Sequence, residues 1–192
     1  SFKYLDAIGI WATASRYGYV FNGWFFSSDC KQDEQFTSGK AGFDNFADQA
    51  VTLYAKWVAE EFDVVFNANQ GNPSADVTVA LTYNSSNSEI PTGYSRIGYT
   101  FAGWATAGAE TSYNFDGAVA SANIVNDLYA KAEYENGRKT LTLYAQWTPN
   151  TYTVNYKNND GSATFSTVTV TFDATPIYAV TPEQTLIGYN FA

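Results

Sequence analysis

The sequence predicts a mainly β protein, a tandem array of small antiparallel-sheet modules. Three observations lead there. Phe62, Val64 and Phe66 alternate with Asp63, Val65 and Asn67, and Leu53, Ala55 and Trp57 alternate with Tyr54 and Lys56. That period of two is how half-buried strands read. The segment Thr52-Leu53-Tyr54-Ala55-Lys56-Trp57 returns as Thr142-Leu143-Tyr144-Ala145-Gln146-Trp147, a shift of 90 residues. Gly18-Tyr19-Val20-Phe21-Asn22-Gly23-Trp24 returns as Gly98-Tyr99-Thr100-Phe101-Ala102-Gly103-Trp104, and a third copy begins at Gly188-Tyr189-Asn190-Phe191-Ala192. Ordered echoes of this kind are the mark of a repeat architecture.

Three units follow. Residues 1–60 form a unit lacking its first strands, 61–150 a complete unit with an extra hairpin, and 151–192 the N-terminal part of a third. The complete unit opens with the strand Phe62–Asn67, matched by Tyr152–Lys157 at the same shift of 90. Asn69-Gln70-Gly71-Asn72-Pro73 and Asn158-Asn159-Asp160-Gly161 hold residues tolerant of positive φ, so each is read as a hairpin turn. Val77-Thr78-Val79 and Val168-Thr169-Val170 begin the return arms. Ser88 to Tyr94 contains a proline, and Asp116–Ala122 fits one or two helical turns capped by Asp116. Leu128-Tyr129-Ala130-Lys131-Ala132 resembles the later Leu-Tyr-Ala strand, and Glu135-Asn136-Gly137-Arg138 is a type I′ turn signal, so an extra hairpin is expected there. Both outer units are incomplete. Either the piece is cut from a longer protein without regard to register, or a neighbouring chain supplies the missing strands.

Composition narrows the function. The 192 residues include 15 Tyr, 14 Phe and 5 Trp but no His and no Met. Without His there is no Ser-His-Asp or Cys-His nucleophile system and no imidazole-bound zinc. A net charge of −9 repels phosphate backbones, so nucleic acid is not an expected partner. No apolar run is long enough to span a bilayer, so no membrane insertion is expected of this segment. Cys30 stands alone and gives no disulfide or metal spacing.

The pairing of Gly-Tyr-x-Phe-x-Gly-Trp with a downstream Thr-Leu-Tyr-Ala-Lys/Gln-Trp resembles the Listeria–Bacteroides repeat, also called the internalin B-repeat. The resemblance implies a β-grasp-like, ubiquitin- or SUMO-like module, α+β with little helix. Such modules are strung in tandem along secreted or wall-attached proteins as stalk or adhesion segments, with no enzymatic activity or cofactor. The sequence departs from the pattern in its long middle unit and around Gly9-Ile10-Trp11.

The motif residues also have a physical reading of their own. Gly103 lets the strand bend so that Trp104 turns onto the core, and Gly23 does the same for Trp24. Trp24, Trp57, Trp104 and Trp147 are then core pillars. The sharper alternative is a stacking platform for sugar rings, with Trp11, Tyr17 and Tyr94 as the exposed candidates. Asp29, Asp33 and Glu34, and Glu60, Glu61 and Asp63, are carboxylate clusters, but they follow no calcium-loop spacing and read as solvated loop charges. Asn84-Ser85-Ser86 fits a glycosylation sequon.

The expected protein is therefore non-catalytic, extracellular and at the cell surface: an adhesin stalk or extracellular fibre segment whose partners are neighbouring repeats. Two alternatives stay open. One is a module that holds host glycan or protein on exposed aromatics; the other is a filament subunit in which Tyr152–Phe172 adds to the next chain's incomplete first unit, making a homopolymer.

Overall fold

A computed structural model describes residues 14–36, 51–107, 112–115, 119–157 and 166–174. The architecture is mainly β, with several small antiparallel sheets. In order, the strands are β1 (Tyr19–Phe25), β2 (Gln35–Phe36), β3 (Tyr54–Ala59), β4 (Glu61–Asn67), β5 (Val77–Thr82) and β6 (Tyr99–Ala105). Then come α1 (Ala122–Lys131), β7 (Glu133–Glu135), β8 (Arg138–Pro149), β9 (Thr151–Tyr156) and β10 (Ser166–Thr171). The sheets have strand orders β2-β1-β3, β10-β9 and β5-β4-β8-β6, with β7 added along β8. By contacts the chain forms two units, one of Ser1–Val64, Thr78–Ile90 and Asp116–Leu141, the other of Val65–Val77, Pro91–Phe115 and Thr142–Ala192.

In the first unit, β1 pairs with β3 with Phe21 opposite Trp57, and the register shifts between Phe21 and Trp24. Gly23 carries the shift at φ +96. Period-two alternation shows in the burial of β4: Phe62 and Val64 are fully buried, while Glu61 before them is exposed and Asp63 between them is half-buried. They share their unit's core with Leu81, Val125 and Leu128.

In the second unit, β6 pairs with β8 in the same way, Phe101 opposite Trp147, with a register shift between Phe101 and Gly103. Gly103 sits at φ +115, a conformation that L side chains rarely adopt. The extra residue of this bulge re-aims the following side chain. Trp104 is thereby only 2% exposed, edge-on to Phe66 at 4.9 Å. Its repeat counterpart Trp24 is half-buried, as are Trp57 and Trp147. Trp104 is thus interior, and the other three tryptophans keep part of their surface in solvent.

The expected hairpin over Asn136-Gly137 is present, both residues at positive φ (51° and 85°) as a type I′ turn needs. Its first arm differs from expectation. It is only Glu133–Glu135, because Leu128–Lys131 ends a helix rather than a strand. Of the short helix expected over Asp116–Ala122, residues 116–118 lie outside the described residues. Ser121 is the N-cap of α1, and Ser121 Oγ accepts from the Ile124 N–H at 3.4 Å. Ala120 instead bridges Asn87. Val125, Leu128 and Tyr129 are buried at the i, i+3, i+4 spacing of one helix face, which outweighs the likeness of Leu-Tyr-Ala to the strand motif. Lys139 Nζ donates to the Tyr129 and Ala132 carbonyls, both at 3.1 Å, and so satisfies acceptors at the helix end.

The opening hairpins form as strand pairs. β5 lies beside β4, and β9 pairs with β10 from Thr151↔Thr171 to Tyr156↔Ser166. The expected turn Asn158–Gly161 lies outside the described residues. In the Asn69–Pro73 turn, positive φ falls on Asn69 and Gln70 rather than on Gly71. Gly71 is needed for space: a Cβ there would run into the Trp147 ring and come within 2.9 Å of the Ser95 carbonyl.

Gly103→Val is expected to destabilise the protein by about 2 kcal/mol or more, since it strains a positive-φ position. Its Cβ would also come within 3.0 Å of the Tyr113 carbonyl. Trp104→Ala should cost about 3–5 kcal/mol by leaving a cavity. Urea denaturation checks both, and an unchanged midpoint for either would contradict the packing described.

Candidate functional site

Of the residues singled out for ligand stacking, Tyr17 belongs to the first unit and Tyr94 to the second. Trp11 lies outside them. Tyr17 is 63% exposed, yet its ring stands edge-on to Tyr83 at 5.8 Å and to Tyr129 at 5.5 Å. Tyr94 is half-buried, edge-on to Trp104 at 4.6 Å and stacked toward Phe101, with its hydroxyl buried and unpartnered. Burial, with the Asp76 charge adding to it, pushes the Tyr94 phenol above its ordinary value. A ring committed on one face and edge to other rings offers little to a sugar.

Asp29, Asp63 and Glu60 each meet a donor, while Glu34 Oε2 is buried without a hydrogen-bond partner. Asp29 is held below the usual carboxylate range by hydrogen bonds from Ser27 and then Lys31, the latter at 2.9 Å. Asp33 and Glu34 lie in the short 3-10 turn Gln32–Glu34. Asp63 takes Arg138 Nε at 2.7 Å, with Glu61 4.0 Å from the same guanidinium. Among the described residues no three Asp, Glu or Cys side chains converge on a metal site. Cys30 is half-buried at φ +49, its thiol directed at the Ser28 carbonyl at 3.8 Å. In the sequon, Asn84 Nδ2 donates to the Tyr19 hydroxyl at 3.2 Å, and the Asn84 N–H donates to Asn126 Oδ1 at 2.7 Å.

The densest constellation was not legible beforehand. Glu60, read as a loop charge, accepts a short hydrogen bond from the Tyr129 hydroxyl and another from Tyr134 at 3.5 Å. Tyr129 is 3% exposed and packs edge-on to Phe62, with its ring 4.8 Å from that of Tyr83. The Lys139 ammonium lies 4.1 Å above the same ring. Burial first, and Glu60 second, hold the Tyr129 phenol well above its ordinary 10.0. Around this cluster the backbone turns through Arg16–Tyr19, and an equivalent turn occurs at Arg96–Tyr99. There Arg96 stacks 4.0 Å over Tyr99 and donates to Gln70 Oε1 at 3.0 Å beside a shallow cleft of ≈ 280 Å³. In sequence the signal is an arginine two residues before Gly18 and Gly98, where Gly188 has Leu186. Its partners, Tyr83 and Phe172, are too distant along the chain to belong to any local pattern.

The raised Tyr129 phenol makes stability depend on alkali. Above the ordinary tyrosine value the unfolded chain releases this proton first, so the folded state loses ground as pH rises. The melting temperature should fall between about pH 9 and pH 11 more steeply in the native protein than in Tyr129→Phe. Equal slopes would contradict the assignment.

Among the described residues no helix is long and apolar enough to cross a membrane. The Listeria-Bacteroides repeat domain matches residues 1–56 and again 62–131, two tandem repeats. Two relatives come from Evansella cellulosilytica. One, named as a Gly-rich membrane protein, is 32% identical over 154 residues, 77% of this chain and 16% of its own length. The other, named as a membrane protein, is 29% identical over 168 residues, 85% of this chain and 21% of its own length. The chain thus spans about a fifth or less of these relatives. No solved structure matches it. With matches that cover most of its length, the chain belongs to the Listeria-Bacteroides repeat domain family.

Proposed function

We propose that this chain is a non-catalytic segment of a surface-associated repeat protein, and that it acts as a stalk or spacer in an adhesin-like molecule. The observation that carries this reading is the use of the signature aromatics. Much of their surface goes to internal packing: Trp104 is buried, Phe101, itself 38% exposed, packs edge-on to Trp147 at 5.5 Å, and the half-buried Trp147 donates through Nε1 to the Ala68 carbonyl at 2.9 Å. Two consecutive matches to one repeat family support an array, and relatives named as membrane proteins support a surface setting. The array is read as 1–60, 61–150 and 151–192, with junctions at Glu60 and Asn150. Asp29, Asp63 and Glu60 are paired with Lys31, Arg138 and Tyr129 respectively, which favours structure over acid–base chemistry at these three.

A spacer of this kind holds no ligand. Applied to a glycan array, the chain is expected to give no signal above an unrelated acidic protein. Retention of a glycan that is lost in Tyr17→Ala would move the function to a binding module.

A further inference from the structure

The chain makes one corner twice, and each time another part of the chain is seated on it. Arg16-Tyr17-Gly18-Tyr19 and Arg96-Ile97-Gly98-Tyr99 both close with the tyrosine N–H donating to the arginine carbonyl at 3.1 Å. The glycines stand at φ +75 and +79, as the third position of a type II turn demands. In both, the guanidinium lies 4.0 Å over the tyrosine ring. The middle of the turn faces outward, with Ile97 86% exposed.

The same two hydrogen bonds then follow. The Gly18 carbonyl accepts from the Glu60 N–H at 2.9 Å, and the Gly98 carbonyl from the Asn150 N–H at 2.8 Å. The carbonyl of Glu60 accepts from Tyr83 N–H, and that of Asn150 from Phe172 N–H, both at 2.8 Å. The rings of Tyr83 and Phe172 occupy the space where a Cβ of Gly18 or Gly98 would lie. They meet the corner tyrosines edge-on, Tyr19–Tyr83 at 5.5 Å and Tyr99–Phe172 at 5.3 Å. The next residues, Asn84 and Asp173, sit at φ +59 and +58 and reach the hydroxyls of Tyr19 and Tyr99 respectively.

We propose that the Arg-x-Gly-Tyr corner of each of the first two repeats is the docking surface for the repeat that follows it. Its occupant is the pair at the end of that repeat's opening hairpin, an aromatic followed by Asn or Asp at positive φ. The proposal rests on the array reading above and names the partner of each corner. The recognition is chemical at three points. A glycine gives a ring a flat seat that no other residue leaves. The tyrosine hydroxyl selects a short polar side chain beside the ring. The junction residue is clamped through its own N–H and C=O, which is why Glu60 and Asn150 serve equally at that place although their side chains differ.

Amide hydrogen exchange on the full chain tests this. In the native protein the N–H groups of Asn150 and Phe172, and of Glu60 and Tyr83, should be protected. Gly98→Val should speed exchange at Asn150 and Phe172 by about 10-fold or more while Val64 and Leu143 keep their protection. Phe172→Ala, which leaves the turn itself intact, should do the same without touching Glu60 and Tyr83. Free exchange of all four junction amides in the native protein, or unchanged rates in both variants, would overturn the proposal. A glycan signal, by contrast, would remove the spacer reading and leave junction protection where it is.

Discussion

An aromatic ring can lie directly on the backbone only where the backbone carries no side chain, and this constraint organises the molecule. Gly18 is covered by Tyr83, Gly98 by Phe172 and Gly71 by Trp147, and in each case a Cβ would intrude on the ring. Small modules cannot bury enough aliphatic surface to be stable on that alone. Large rings supply the area, but they need seats. The glycines supply those seats and, at Gly23 and Gly103, the bulges that turn a tryptophan out of the strand pattern.

What was legible in the sequence follows from range. The alternation through Phe62, Val64 and Phe66 and the Asn136-Gly137 turn are local signals, and both appear in the structure as strand burial and a positive-φ pair. The recurrence of the aromatic–glycine segments marked the repeat family. The helix Ala122–Lys131 was hidden because Leu128-Tyr129-Ala130 copies a strand motif, and only the burial of Val125, Leu128 and Tyr129 on one face separates the two readings. The corners were half visible. Their glycines were plain, but Tyr83, Phe172 and the clamped Glu60 and Asn150 are joined to them only by folding.

The same reasoning bears on function. A signature rich in Trp and Tyr invites a sugar-binding reading when met as sequence. Placed in three dimensions, Trp104 is interior, Tyr94 is packed against it, and Tyr17 has its edges on other tyrosines. Among the described residues these three rings pack against other rings of their own unit.

The most direct measurement of the central constraint is the proton chemical shift of the glycine Hα atoms. A ring seated on a glycine shields those protons, so the Gly98 Hα resonances should lie well upfield of a random-coil glycine and return toward it in Phe172→Ala. Random-coil shifts at Gly98 in the native protein would contradict the account.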